Sequence, residues 1–157
     1  MTSGATVHSD RQDPASGPAA PTMRLELEWC LPRQAPTVAM ARRLLSTALH
    51  LIGVAESCRA DLALAVTEAC ANAVRHAHGT SEYQLVITVV RDRCVLEVID
   101  RGVGADHERL RAGLDGNGPK LGERGRGLRL IRACTDTVEF GPVYPRGLTI
   151  RMVKALS

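Results

Sequence analysis

A chain of 157 residues with 45% hydrophobic residues is long enough for one domain with a real core, and a single Trp, two Tyr and one Phe make that core aliphatic. The formal charge is only +3, acids and bases are interspersed, and no basic run is interleaved with aromatics, which argues against direct nucleic-acid binding. No apolar run approaches membrane-spanning length, no signal-peptide core opens the chain, and Cys30, Cys58, Cys70, Cys94 and Cys134 form no C-x-x-C pair. The cysteines read as small buried hydrophobes of a cytoplasmic protein, and no Cys/His/Asp spacing suggests structural zinc.

In chain order, Met1–Pro21 is rich in Ser, Gly, Pro, Ala and Asp. It cannot bury enough surface to offset its ordering entropy, so it is expected to be a disordered tail, either regulatory or inert, ahead of a domain over residues 22–157. Arg24–Leu31 alternates, with Leu25, Leu27 and Trp29 on one side and Arg24, Glu26 and Glu28 on the other, as a strand covered on one face does. Pro36 opens a helix to about Leu51 whose apolar face is Val38, Ala41, Leu44, Leu45, Ala48 and Leu51, with Arg42 and Arg43 outside it. Asp61–His78 is rich in Ala, Leu and Val and holds no Gly or Pro; Leu62, Val66, Ala69, Ala73 and Ala77 form one helical stripe, and Gly79 is a natural stop. Tyr83–Val90 and Cys94–Ile99, joined by Arg91-Asp92-Arg93, read as a hairpin. Ala105–Glu123 is polar and glycine-rich, with at most a short helix over Ala105–Leu114; long loops of this kind in a compact domain are usually functional. Gly127–Thr135 is a helix, with Leu128, Ile131 and Ala133 or Cys134 facing in, and Val138–Phe140 and Leu148–Val153 are strands. The order β-α-α-β-β-α-β-β predicts an α/β two-layer sandwich: a mixed, mostly antiparallel sheet with helices on one face.

Three stretches carry residue types suited to chemistry. Glu68, Asn72 and His76 lie four apart, which stacks them in a polar stripe beside the apolar one on the same helix. Taken alone, that stripe reads first as a solvated helix face. Asp100-Arg101-Gly102-Val103-Gly104 ends an apolar strand; Asp100 either begins a turn with Gly102 or offers its acceptor-only carboxylate to a ligand. Gly125-Arg126-Gly127-Leu128 stands directly before a helix, where glycines let the backbone approach phosphates and free N–H groups favour anions. The alternative is a helix start after a flexible loop. Arg124 and Arg126 flank the glycines, and either meet a γ-phosphate or are solvated loop residues. The third glycine and the strand–turn–helix continuity of a dinucleotide fingerprint are missing, and no Gly-x-x-x-x-Gly-Lys-Ser/Thr loop is present.

A polar helix stripe, then Asp-x-Gly-x-Gly, then Gly-x-Gly-Leu, in that order, resembles the GHKL ATPase superfamily, and the short chain is most similar to the bacterial anti-sigma-factor serine kinases. The resemblance runs from about Arg24 to Val153 and implies a Bergerat-type ATP-binding fold with ATP and Mg²⁺ as cofactors. It implies that Asp100 accepts a hydrogen bond from the adenine amine, with Gly102 and Gly104 leaving room for the base. Asn72 would ligate Mg²⁺, Glu68 would be the general base, and His76 would contact phosphate or only pack beside it. Gly125, Gly127 and Leu128 would belong to the phosphate loop, and Ala105–Gly122 to a lid, although no pattern there matches one. The implied partners are a sigma factor, an anti-anti-sigma antagonist whose serine is phosphorylated, and a second copy of the chain. Two other classes compete: a module that binds ATP only to set its shape, and a histidine-kinase fragment. The latter would need a phosphoacceptor helix pair for which Met1–Pro21 is too short.

Overall fold

A computed structural model describes residues 3–5, 23–76, 78–103 and 122–156. Its elements are β1 (Ser3–Ala5), β2 (Arg24–Pro32), α1 (Ala35–Leu51), α2 (Glu56–His76), β3 (Glu82–Val90), β4 (Arg93–Asp100), α3 (Gly122–Cys134), β5 (Thr137–Pro142) and β6 (Leu148–Ala155). The strands form one sheet in the order β1-β2-β3-β4-β6-β5. The expected α/β sandwich is present. Every strand pairing among the described residues is antiparallel, so the sheet is uniform where a mixed one was expected.

Side chains alternate across the sheet as the period of two requires. Tyr83, Leu85, Ile87 and Val89 of β3 and Cys94, Leu96 and Val98 of β4 are buried on one face, joined by Leu148, Ile150 and Met152 of β6. The register sets Trp29, Leu27 and Leu25 of β2 opposite Leu85, Ile87 and Val89, which continues the same apolar face outward. Against it lies the inner stripe of α2: Leu62, Ala65, Val66, Ala69, Cys70 and Ala73. These small residues let the helix approach the sheet closely. The core is aliphatic, as the composition requires, with Tyr83 as its single buried ring; the Tyr83 hydroxyl lies 3.0 Å from Thr37 Oγ1 near the start of α1. An ion pair between Lys154 Nζ and Asp61 Oδ2, 3.0 Å, ties β6 to α2.

Several expectations need adjustment. Ser3–Ala5, inside the stretch expected to be disordered, pair with Leu27–Trp29 of β2. An open edge strand offers backbone groups that even Ser-Gly-Ala can meet, because ladder bonds ask nothing of the side chain. Met1, Thr2 and residues 6–22 lie outside the described residues. In α1 the buried row is Thr37, Ala41, Leu45 and Leu49, while Leu44 and Leu51 are exposed, Leu51 at 79%. The helix thus turns an i, i+4 row inward that keeps Ala41 and Leu45 of the expected face and adds Thr37 and Leu49, with Val38 and Ala48 half-buried beside it. Helix α2 begins at Glu56, five residues before the expected start, and ends at His76. His78 instead forms a bridge with Val103.

Candidate functional site

Helix α2 carries the polar stripe, and α3 lies across it. Built on the Gly127 backbone, a Cβ would fall 2.7 Å from Glu68 Oε2 and 3.9 Å from Asn72 Nδ2. The bare Gly127 backbone therefore lies directly on the tip of the Glu68 carboxylate and close to Asn72, with no side chain between them. Both side chains are half-buried under α3. Glu68 and Asn72 are therefore partly covered by α3 and not freely solvated. Leu128, beside Gly127, is buried and anchors α3 in the core together with Ile131, while Arg126 is exposed and Gly125 half-buried.

One expectation about this motif is corrected. The motif was placed at the start of a helix over Gly127–Thr135, yet α3 begins five residues earlier, at Gly122, and contains Gly125 and Arg126 as well. The unpaired N–H groups of a helix belong to its first turn. At α3 these groups end at residue 124, so Gly127 offers its missing side chain and not a free terminal donor. The side chains of His76 and Arg124, and all of Gly104 and Ala105–Leu121, lie outside the described residues, as do the expected short helix over Ala105–Leu114 and most of the expected lid.

Asp100 ends β4 on the helix-facing side and is 8% exposed. Its Oδ1 accepts from the backbone N–H of Gly102 at 2.8 Å, so the turn that Asp100 and Gly102 suggested does exist. The residue missed in the sequence is Arg33, in the connector between β2 and α1. Arg33 Nη2 donates to Asp100 Oδ1 at 2.7 Å and Nη1 to Asp100 Oδ2 at 3.3 Å. Nε donates to the Thr80 carbonyl at 3.0 Å, and the guanidinium also reaches Thr80 Oγ1 and the Ala73 carbonyl. The two charged side chains are 9% and 11% exposed, a buried pair with its donors used. The signal available for it was indirect: a carboxylate closing an apolar strand needs a partner.

Two backbone arrangements close the Asp100 end. His78 and Val103 exchange N–H···O bonds of 3.0 and 2.7 Å, which pins the chain after α2 to the chain after β4. Gly147, just before β6, has φ +129, and a Cβ there would lie 2.2 Å from the Asp100 carbonyl oxygen. Only glycine lets β6 start beside the end of β4, where Leu148 pairs with Asp100. Burial pushes the Cys70 and Cys94 thiols up to about 12, so neither is a nucleophile for this site.

Three sequence motifs thus converge on the helix side of one sheet: Glu68 and Asn72 under Gly127, and Asp100 with its turn at the end of β4. Residues 31–154 match the model of the histidine kinase-like ATPase domain, so the chain belongs to that family. Among its members it is similar to the serine-protein kinase RsbW of Bacillus cereus (strain Q1), 31% identical over 136 residues, 82% of this chain and 84% of that one. The serine-protein kinase RsbW of Bacillus mycoides is 30% identical over the same shares. A solved structure of the RsbU and RsbW domains of a Mycobacterium tuberculosis protein aligns with a TM-score of 0.61 at 20% identity, over 87% of this chain and 33% of that one. That likeness concerns the fold alone, and the present chain spans a third of its length. No helix among the described residues is long and apolar enough to cross a membrane.

Proposed function

We propose that this protein is an ATP-dependent serine kinase of the anti-sigma type, which holds a sigma factor and phosphorylates a serine of an antagonist protein. The observation that carries the reading is the close approach of Gly127 to Glu68 and Asn72. It puts a carboxylate and an amide side by side under the helix that follows the expected lid. The names of the similar proteins supply the reaction class: they are serine-protein kinases.

Each described residue has a role consistent with its surroundings. Asp100 accepts the exocyclic amine of adenine. Asn72 would ligate Mg²⁺ through its side-chain oxygen. Among the described residues no group of three or more His, Cys, Asp or Glu could hold a metal. A lone amide oxygen beside one carboxylate suits an ion that takes most of its shell from water and phosphates, as Mg²⁺ does. That ion would neutralise phosphate charge. Glu68 takes the proton of the attacking serine hydroxyl. Arg126, exposed on α3 one residue before Gly127, is available to a γ-phosphate or to a partner protein. The phosphoryl group adds roughly two negative charges to the antagonist and repels it from its interface. The setting is the cytoplasm, and the working form is a homodimer.

The test is phosphoryl transfer from labelled ATP to candidate antagonist proteins of the same genome. Glu68→Gln keeps size and helix propensity and loses the basic carboxylate, so transfer falls about a hundredfold to ten-thousandfold. ATP affinity and sigma-factor binding stay near wild type. If the wild-type protein binds ATP and labels no antagonist, the chain is a nucleotide-dependent binding module. If Glu68→Gln labels as fast as wild type, the base is another residue.

A further inference from the structure

We infer that Arg33 is a positioning residue for adenine recognition, an inference that rests on the reading of Asp100 as the adenine acceptor. The two oxygens of the Asp100 carboxylate are used unevenly. Its Oδ1 accepts from Arg33 Nη2 at 2.7 Å and from the Gly102 N–H at 2.8 Å. Among the described residues its Oδ2 has only the longer contact with Arg33 Nη1, at 3.3 Å. A carboxylate oxygen can accept about two hydrogen bonds, so Oδ1 is saturated and Oδ2 has capacity left. Oδ2 is the oxygen that receives the amine.

An Asp carboxylate left alone rotates broadly about its terminal torsion, and either oxygen could face a ligand. The planar fork of an arginine removes that freedom, which the point charge of a lysine cannot do. The fork is itself held. Nε donates to the Thr80 carbonyl at 3.0 Å, Nη2 also reaches Thr80 Oγ1, and the Arg33 backbone N–H donates to the Ser81 carbonyl at 2.8 Å. Acceptor direction is therefore set before any nucleotide arrives, which is the condition for a hydrogen bond to discriminate strongly between ligands.

The same guanidinium donates to the carbonyl of Ala73, in the last turn of α2. A carbonyl there sits at the negative end of the helix dipole, so a buried cation is well placed. Ala73 follows Asn72 directly. One side chain thus spans the adenine end of the site and the turn bearing the Mg²⁺ ligand, and fixes the separation between them.

The experiment is calorimetric titration of the full chain, with Mg²⁺, against ATP and against purine riboside triphosphate, which lacks the exocyclic amine. Wild type prefers ATP by about tenfold to a hundredfold, the worth of a hydrogen bond to a charged group. Arg33→Lys keeps the charge and loses the fork; the preference falls to within about threefold. Thr80→Val removes one acceptor that anchors the fork and leaves the ion pair in place, and it lowers the preference by a smaller factor. Equal weakening of both nucleotides in Arg33→Lys, with the preference retained, makes Arg33 a purely structural residue and overturns the inference. Should Arg33→Lys fail to fold, an unchanged preference in Thr80→Val overturns it instead. Asp100→Asn separates the two levels. If that variant keeps the wild-type preference, the adenine assignment fails and the role of Arg33 with it. If it loses the preference while Arg33→Lys does not, the inference about Arg33 fails alone.

Discussion

Replacing Gly127 by alanine separates the function of this site from the stability of the fold. The new Cβ would stand 2.7 Å from Glu68 Oε2, where ordinary contact begins at 3.4 Å. The carboxylate must therefore retreat by about 0.7 Å, which it can do by rotating its flexible end while the helices stay in place. The nearest Asn72 atom, at 3.9 Å, is unaffected. Gly127 lies well inside α3, where Gly→Ala favours the helix by about 1 kcal/mol. For a domain of this size that raises the melting temperature by roughly 2–4 °C. A displacement approaching 1 Å at a reacting group costs up to about a hundredfold in rate, so phosphoryl transfer should fall by about tenfold to a hundredfold. Differential scanning fluorimetry and transfer of label from ATP to the antagonist measure the two effects on one preparation. Wild-type transfer by a stable Gly127→Ala protein would show that the Glu68 carboxylate has no part in the reaction.

Three other outcomes follow from the same geometry. Asn72→Ala removes the proposed Mg²⁺ ligand and weakens Mg·ATP binding by about 1–3 kcal/mol, read by calorimetry; unchanged affinity in a folded variant would take Asn72 out of the site. Gly147→Ala forces a left-handed φ on alanine and drives its Cβ into the Asp100 backbone, which cannot move aside. It should cost on the order of 3 kcal/mol, a melting temperature lower by roughly 6–12 °C. Iodoacetamide at pH 8 should modify half-buried Cys30 first and leave Cys70 and Cys94 untouched until unfolding. Burial holds both thiols at about 12, so ionisation lies far above the reaction pH, and a rise to pH 9 increases a still negligible thiolate fraction; mass spectrometry of the native protein reads the order.

Periodicity made most of the fold legible. Leu25, Leu27 and Trp29 alternate and do line the covered face of β2, and the Leu62, Val66, Ala69 and Ala73 stripe is the inner face of α2. These patterns survive because burial acts on every second or every third to fourth residue and leaves its mark locally. The early start of α2 was hidden because Glu56–Ala60 contributes a single buried residue, Cys58, too few to show a period. The start of α3 was hidden for a different reason. Three glycines at positions 122, 125 and 127 argue against helix by propensity, and tertiary packing against Glu68 overrides that preference. Arg33 left no local trace at all. Its partners Ala73, Thr80 and Asp100 lie 40, 47 and 67 residues away, and a lone arginine beside Pro32 in a connector reads as solvated.

The two glycines and the arginine divide the labour at this site in a way that the sequence motifs do not express. Gly147 is bounded by backbone, and so it belongs to the fold: it lets β6 begin against the end of β4 and thereby fixes where Asp100 leaves the sheet. Gly127 is bounded by the tip of a carboxylate, and so it bears on the proposed chemistry: it limits where Glu68 rests without being needed for the helices to form. Arg33 joins the two regions, because one guanidinium holds the Asp100 carboxylate and the α2 turn next to Asn72. The small residue over Glu68 leaves the carboxylate its place beside α3, and the buried cation near the end of α2 holds the Asp100 carboxylate. Both are costly choices, a helix-interior glycine and a desolvated charge. Their coincidence around Glu68, Asn72 and Asp100 is the structural support for reading these individually weak motifs as one candidate site.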